Sequence, residues 1–150
     1  MELILWRHAD AEDGSPDSER KLTAKGVKQA SRMAKWLRPR LPEDAVILVS
    51  PAQRAQQTAR ALRLDFKIVA EIGTSASPES LLKTIGWPKL KGTIVVVGHQ
   101  PTLSEAAALL LVGRKEQWSL KKGAIIWLAR REHGTLPQTH LRAAISPDLL

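Results

Sequence analysis

Short, unbroken runs of apolar residues recur along the chain, each followed by a polar turn and then by apolar positions at helical spacing. The first, Leu3-Ile4-Leu5-Trp6, stops abruptly at Arg7-His8. Large apolar residues bounded by charge fit a strand buried on both faces of a sheet, although periodicity alone also admits a short helix. Residues 45–49 repeat the pattern and run into Ser50-Pro51, and residues 67–71 do so more weakly. Residues 93–97, rich in β-branched side chains, give the clearest strand and end at Gly98-His99-Gln100-Pro101.

Between these runs the period changes to that of a helix. Thr23 is placed as an N-cap ahead of Val27, Ala30, Ala34 and Leu37 on one face, with Pro39 ending the run. Lys25, Lys28, Arg32, Lys35 and Arg38 fall mostly on the opposite face, which reads as solvated surface. Ser50 as N-cap and Pro51 at the first helical position open a second helix with a stripe of Ala52, Ala55, Ala59 and Leu62, so Arg54 falls in its first turn. Ser77-Pro78 opens a short third helix carrying Leu81, Leu82 and Ile85 and closed by Gly86. Thr102 with Glu105 forms a capping-box signature before residues 106–112, and Gly113 supplies the stop. Residues 10–21 are polar, contain Gly14, Ser15 and Pro16, and make a loop long enough for a lid or binding loop. Residues 124–128 and 139–145 read as two last strands, with Gly134 in position to turn a hairpin. Alternating strands and helices predict an α/β fold, a three-layer αβα sandwich on a mainly parallel sheet with an antiparallel edge.

Composition narrows the picture. A chain of 150 residues fits a single domain over 1–150, and 43% hydrophobic with 25% charged residues is the balance of a soluble globular protein. No apolar run approaches the roughly 20 residues that span a bilayer, and Met1 leads directly into the first strand without a basic, apolar leader, so the expected location is the cytoplasm. The absence of cysteine removes disulfides, thiolate nucleophiles and zinc–thiolate sites. A net charge of +8 favours anionic partners: phosphate compounds, acidic proteins or nucleic acid. Charge alone is a weak case for nucleic acid, because with one Phe and no Tyr the stacking side chains that bind single strands are nearly missing.

The chemistry lies at the strand ends. Arg7-His8 follows the first strand, Ser50 to Arg54 the second and His99 the fourth. If those strands are parallel, two imidazoles and two guanidiniums share one sheet edge with helix N-termini at Ser50 and Thr102, an electropositive pocket suited to a phosphoryl group. A neutral imidazole with a free ring nitrogen is a nucleophile, so His8 attacks phosphorus, forms a phosphohistidine and is released by water. Arg7, Arg54 and a protonated His99 clamp the oxygens. No cofactor or metal is called for: a zinc site from His8 and His99 lacks a third ligand and is opposed by the neighbouring arginines. His133 and His140 lack such company, and the Trp residues read as core or pocket-wall fillers.

Four segments together resemble the histidine phosphatase superfamily, also called phosphoglycerate mutase-like. They are Leu5-Trp6-Arg7-His8-Ala9-Asp10-Ala11-Glu12, Leu22-Thr23-Ala24-Lys25-Gly26, the stretch from Ser50-Pro51 through Arg54-Ala55 to Gln57-Thr58-Ala59, and Gly98-His99-Gln100-Pro101. The resemblance implies His8 as the phosphorylated nucleophile and Arg7, Arg54 and His99 as the phosphate pocket. Within the superfamily, the short chain, the segment from Asp17 to Arg20 and the Ser146-Pro147 ending resemble SixA-type phosphohistidine phosphatases, which dephosphorylate the histidine of phosphotransfer domains in signal transduction. That implies a metal-independent hydrolase whose partner is a phosphorylated protein. Ala9 stands where many members have Gly.

The resemblance departs at the general acid. Many members carry a catalytic Glu in an insertion after the third strand, where this chain has only a short segment. Glu71 and Glu79 are the candidates, each also readable as an ordinary strand-end or helix-start charge. Asp10, Glu12 and Arg20 are candidates near the nucleophile or in the pocket loop. A missing acid favours an imidazole leaving group over an alkoxide. The competing readings are a phosphatase of small phosphate monoesters and a non-catalytic phosphoprotein-binding domain.

Overall fold

A computed structural model describes residues 1–89, 91–133 and 136–150, with the side chains of all of these except 132, 133, 136 and 137. In chain order the elements are β1 (Glu2–Arg7), α1 (Ala24–Leu37), β2 (Val46–Val49), α2 (Gln53–Arg60), β3 (Lys67–Ile68), α3 (Pro78–Thr84), β4 (Thr93–Gly98), α4 (Thr102–Val112), β5 (Ile125–His133) and β6 (Leu136–Ile145). The strands form one sheet in the order β3-β2-β4-β1-β5-β6. β3, β2, β4 and β1 pair in parallel, whereas β5 and β6 are antiparallel additions on the β1 side.

The continuous apolar runs follow from burial on both faces. Successive side chains of a strand point to opposite sides: Ile4 and Trp6 enter a core with Met33 and Leu37 of α1 and Ala55 and Ala59 of α2. Leu3 and Leu5 enter the other, with Leu81 of α3 and Leu103, Ala106 and Ala107 of α4. Each fully buried aliphatic side chain contributes roughly 1.5–3 kcal/mol relative to exposure. That anchors β1 between two helical layers and fixes where its tip lies. Trp6 adds a polar fastening, its indole N–H donating to the carbonyl of Gly123 at 2.9 Å.

Several local features differ from the sequence expectation. Val27 is 56% exposed, and Gly26 and Met33 sit in its place on the buried face of α1. The reason is contact: a Cβ at Gly26 would fall 1.9 Å from the carbonyl oxygen of Asp10, so the helix is rotated to lay bare backbone against the segment leaving β1. Thr23 does cap α1, accepting from the Gly26 N–H at 3.0 Å. The helix after β2 begins at Gln53 rather than beside Ser50, with Ala52 as its N-cap. Thr102 is the first residue of α4 and forms no capping box; its hydroxyl donates to the carbonyl of Ala76 instead. The weak third run yields only Lys67–Ile68 as strand, followed by a 3-10 turn. β5 and β6 extend through the polar residues expected to link them, and the turn expected at Gly134 lies outside the described residues.

Candidate active site

The parallel register aligns the chemistry. Arg7 pairs with Gly98, and Val49 pairs with Val97, so His8 and His99 leave adjacent strands level with each other, with Ser50 one residue earlier on the third. His8, Ser50, Arg54 and His99 are all buried, and the two imidazoles lie with ring centroids 5.2 Å apart.

The backbone sets the state of His8. Its Nδ1 lies 2.8 Å from the carbonyl oxygen of Ala9, and a carbonyl can only accept, so Nδ1 carries the proton. Nε2 is then the nitrogen with a lone pair, and the Arg54 Nε–H donates to it at 3.3 Å. Burial lowers the His8 pKa to about 4; the Ala9 hydrogen bond opposes this, while Arg54, Arg7 and Arg20 reinforce it. At neutral pH His8 is therefore an uncharged imidazole whose one unprotonated nitrogen faces Arg54.

Arg54 has few idle donors. Besides Nε, its Nη1 donates to the backbone carbonyl of Asp17 at 2.8 Å and its Nη2 to the Asp17 carboxylate at 3.1 Å. The other Asp17 oxygen takes the Nη1 of Arg20 at 3.1 Å, and Arg20 Nε donates to the carbonyl of Glu12. The hydrogen bonds from Arg20 and Arg54 hold the Asp17 carboxyl below its ordinary range. The loop of residues 10–21 thus turns back over the second strand end and grips the guanidinium at its outer fork. Arg7 donates through Nη1 to the carbonyl of Leu120 at 2.6 Å, while its buried Nε has no partner. A buried donor left open costs free energy.

His99 differs from expectation. Burial first, then the nearby His8 and Arg54, push its pKa down to about 3, so it is neutral in the free site. The anticipated charged donor requires the opposing field of a bound anion. Its Nε2 lies 2.7 Å from the Ser50 hydroxyl, which also accepts the Ala52 N–H at 3.2 Å. The sequence predicts Ser50 as a helix cap, whereas the fold sets its hydroxyl against the second histidine.

Other contacts were not legible beforehand. Thr58 accepts the Ala9 N–H at 3.0 Å and donates to the Arg54 carbonyl at 2.7 Å, fastening the nucleophile's segment to α2. Gln57 accepts the Leu22 N–H at 2.7 Å. The signal lay in the spacing: Arg54, Gln57 and Thr58 stand at i, i+3 and i+4, on one helix face. The remaining candidates are placed away from catalysis or at its edge. Asp10 pairs with the Thr23 hydroxyl and with Lys122, at 2.7 and 2.9 Å. Glu79 forms an ion pair with Lys115, which holds its carboxyl low, the opposite of what a proton donor needs. Glu71 and Glu12 are exposed. Among the described residues no group of three or more His, Cys, Asp or Glu is arranged to hold a metal, and no helix is long and apolar enough to cross a membrane.

The two depressed histidines make stability depend on pH. Unfolded, each titrates near 6.5; folded, they titrate near 4 and 3. Between those values the unfolded chain binds more protons, so stability rises with pH across the window and is lost on acidification. The Tm is expected to fall by several degrees between about pH 7 and pH 4.5, and less steeply in His99→Gln; equal slopes in the two proteins would contradict the burial described.

The ends of three parallel strands gather two histidines and two arginines, and comparison with known proteins gives the class. The model of the histidine phosphatase superfamily (branch 1) matches residues 3–75. An uncharacterized protein of Picosynechococcus sp. is 35% identical over 146 residues, covering 85% of this chain and 84% of its own. The phosphohistidine phosphatase SixA of Escherichia coli (strain K12) is 42% identical over 59 residues, 39% of this chain and 37% of that protein. A solved structure of the protein histidine phosphatase SixA complexed with tungstate superposes with a TM-score of 0.81 at 24% identity, covering 99% of both chains. This chain belongs to the histidine phosphatase superfamily, and its class of activity is that of a phosphatase.

Proposed function

We propose that this chain is a phosphohistidine phosphatase that removes phosphate from the histidine of phosphotransfer domains through a phosphorylated His8. The observation that carries the reading is the state of His8: neutral, with Nδ1–H held by the Ala9 carbonyl and Nε2 presented beside Arg54. In the first step His8 Nε2 bonds to phosphorus as the phosphorus–nitrogen bond of the substrate breaks, and the departing imidazole takes a proton from solvent water. In the second, water attacks the phosphoenzyme and returns His8 with release of inorganic phosphate. The charges of Arg54 and Arg7, both of which act on His8, stabilise the equatorial oxygens, where charge is spread in the transition state. The dianion raises the proton affinity of His99, which then donates to it with Ser50 fixing the ring.

The leaving group favours phosphohistidine over an ester. An imidazole departs more readily than an alkoxide and needs less help from a proton donor, and the carboxylates considered for that task are exposed or tied in an ion pair. Likeness to SixA supports the same substrate class. On this reading residues 1–150 act as one catalytic domain in the cytoplasm, within a signalling relay. The test is a substrate panel. A phosphorylated histidine phosphotransfer domain is expected to be hydrolysed with a kcat/KM about a hundredfold or more above that for small monoesters. Rapid turnover of the esters with no action on the phosphoprotein would assign the chain to small substrates instead.

A further inference from the structure

The outer face of α1 carries charge that the pocket does not use. Lys25, Lys28, Arg32 and Lys35 stand at i, i+3, i+7 and i+10, a single exposed row that rises about 15 Å along the helix. The helix contains no acidic residue, and none of the four has a carboxylate within ion-pair distance among the described residues. Like charges at this spacing repel and weaken a helix, so the row has a cost to the isolated chain.

The row borders grooves that reach Asp10, on the segment that leaves the nucleophile's strand. Lys25 and Gln29 line a surface groove with Lys121 and Lys122, and a second groove runs on from Lys25 past Lys28 to Arg32. The segment bearing those two lysines also holds the nucleophile's strand: Leu120 accepts from Arg7, and the Gly123 N–H donates to the His8 carbonyl at 3.0 Å. Gln29 in turn accepts the Asp10 N–H at 2.9 Å. The two acidic residues of the grooves, Asp10 and Asp148, are already matched by Lys122 and Lys121, which leaves the α1 cations uncompensated.

We propose that this basic row is the docking surface for an acidic helix of the phosphoprotein substrate, laid along α1 so that its phosphohistidine reaches His8. The proposal rests on the phosphohistidine reading and extends it to the partner. A helix presenting Asp or Glu at one-turn spacing matches the period of the cations, and charge at the rim of an interface acts on encounter and on salt dependence. Nucleic acid fits less well, since the face offers no exposed aromatic ring for bases to stack on.

The experiment compares one phosphorylated, acidic histidine phosphotransfer domain with phosphoimidazole, for the wild type and for Lys28→Glu/Arg32→Glu, two exposed sites outside the catalytic pocket. The double variant is expected to raise KM for the phosphoprotein about tenfold, the scale of reversing two rim charges, with kcat and phosphoimidazole turnover unchanged. Wild-type kcat/KM for the phosphoprotein should fall as salt rises from roughly 50 to 500 mM, and the variant's should respond less. Equal KM values in the two proteins, with phosphoprotein turnover intact, would overturn the docking surface alone. Action of the wild type on phosphoimidazole but not on the phosphoprotein would overturn the substrate reading beneath it. Unchanged KM together with lost binding to a DNA duplex or to anionic vesicles would give the row to those partners instead.

Discussion

His8→Ala is expected to end turnover, with a loss on the order of 10⁴ to 10⁶ in kcat, the range that removal of a nucleophile produces. The basis is covalent: no other described side chain in the pocket has both a neutral state and an unprotonated nitrogen directed at Arg54. Brief reaction with radiolabelled substrate should leave acid-labile, base-stable label on the wild type and none on the variant. Label that persists in His8→Ala would assign the nucleophile elsewhere. A folding control is available, because deleting a buried histidine of depressed pKa also removes part of the acid sensitivity of Tm. A variant that keeps a cooperative transition with a flatter pH profile is folded and lacks the group in question.

Arg54→Ala is expected to lower kcat/KM by about 10² to 10³, or roughly 3–4 kcal/mol of transition-state stabilisation, the scale of one preorganised oxyanion donor. Arg54→Lys should restore little. The guanidinium serves two directions at once, Nε toward His8 and the outer fork toward the carbonyl and carboxylate of Asp17, and a lysine ammonium cannot reproduce that planar set of donors. Near-wild-type kinetics in either variant would mean that phosphate is held without this fork. The measurement should separate kcat from KM: a fall in kcat marks stabilisation realised in the transition state, whereas a rise in KM alone marks uniform binding.

The layered sheet and the four central side chains were legible because burial on both faces writes itself as unbroken apolar runs, and Arg7, His8 and His99 interrupt those runs. What was hidden is what one segment does to another across the fold. Ser50-Pro51 has the local form of a helix start, but its hydroxyl is taken by His99, 49 residues away. The clamp from Asp17 to Arg54 joins residues 37 apart, and neither neighbourhood advertises it. The charge state of His99 escaped for a related reason, since it depends on burial and on His8 and Arg54 together rather than on its own sequence context. Val27 satisfied the helical period, yet the rotation of α1 was decided by contact at Gly26. The polar reach of β5 and β6 broke the apolar pattern because these strands lie at the antiparallel side of the sheet.

That contact at Gly26 divides the labour of α1. Its inner face is a gauge, set against the Asp10 carbonyl two residues beyond the nucleophile, and a single added methyl group would lever the strand tip out of line. On its outer face, Lys28 and Arg32 form no ion pair with the segment that leaves β1. Substitutions there can retune which partner is met while the reacting atoms stay where they are, so one helix lets recognition drift over a chemistry that stands still.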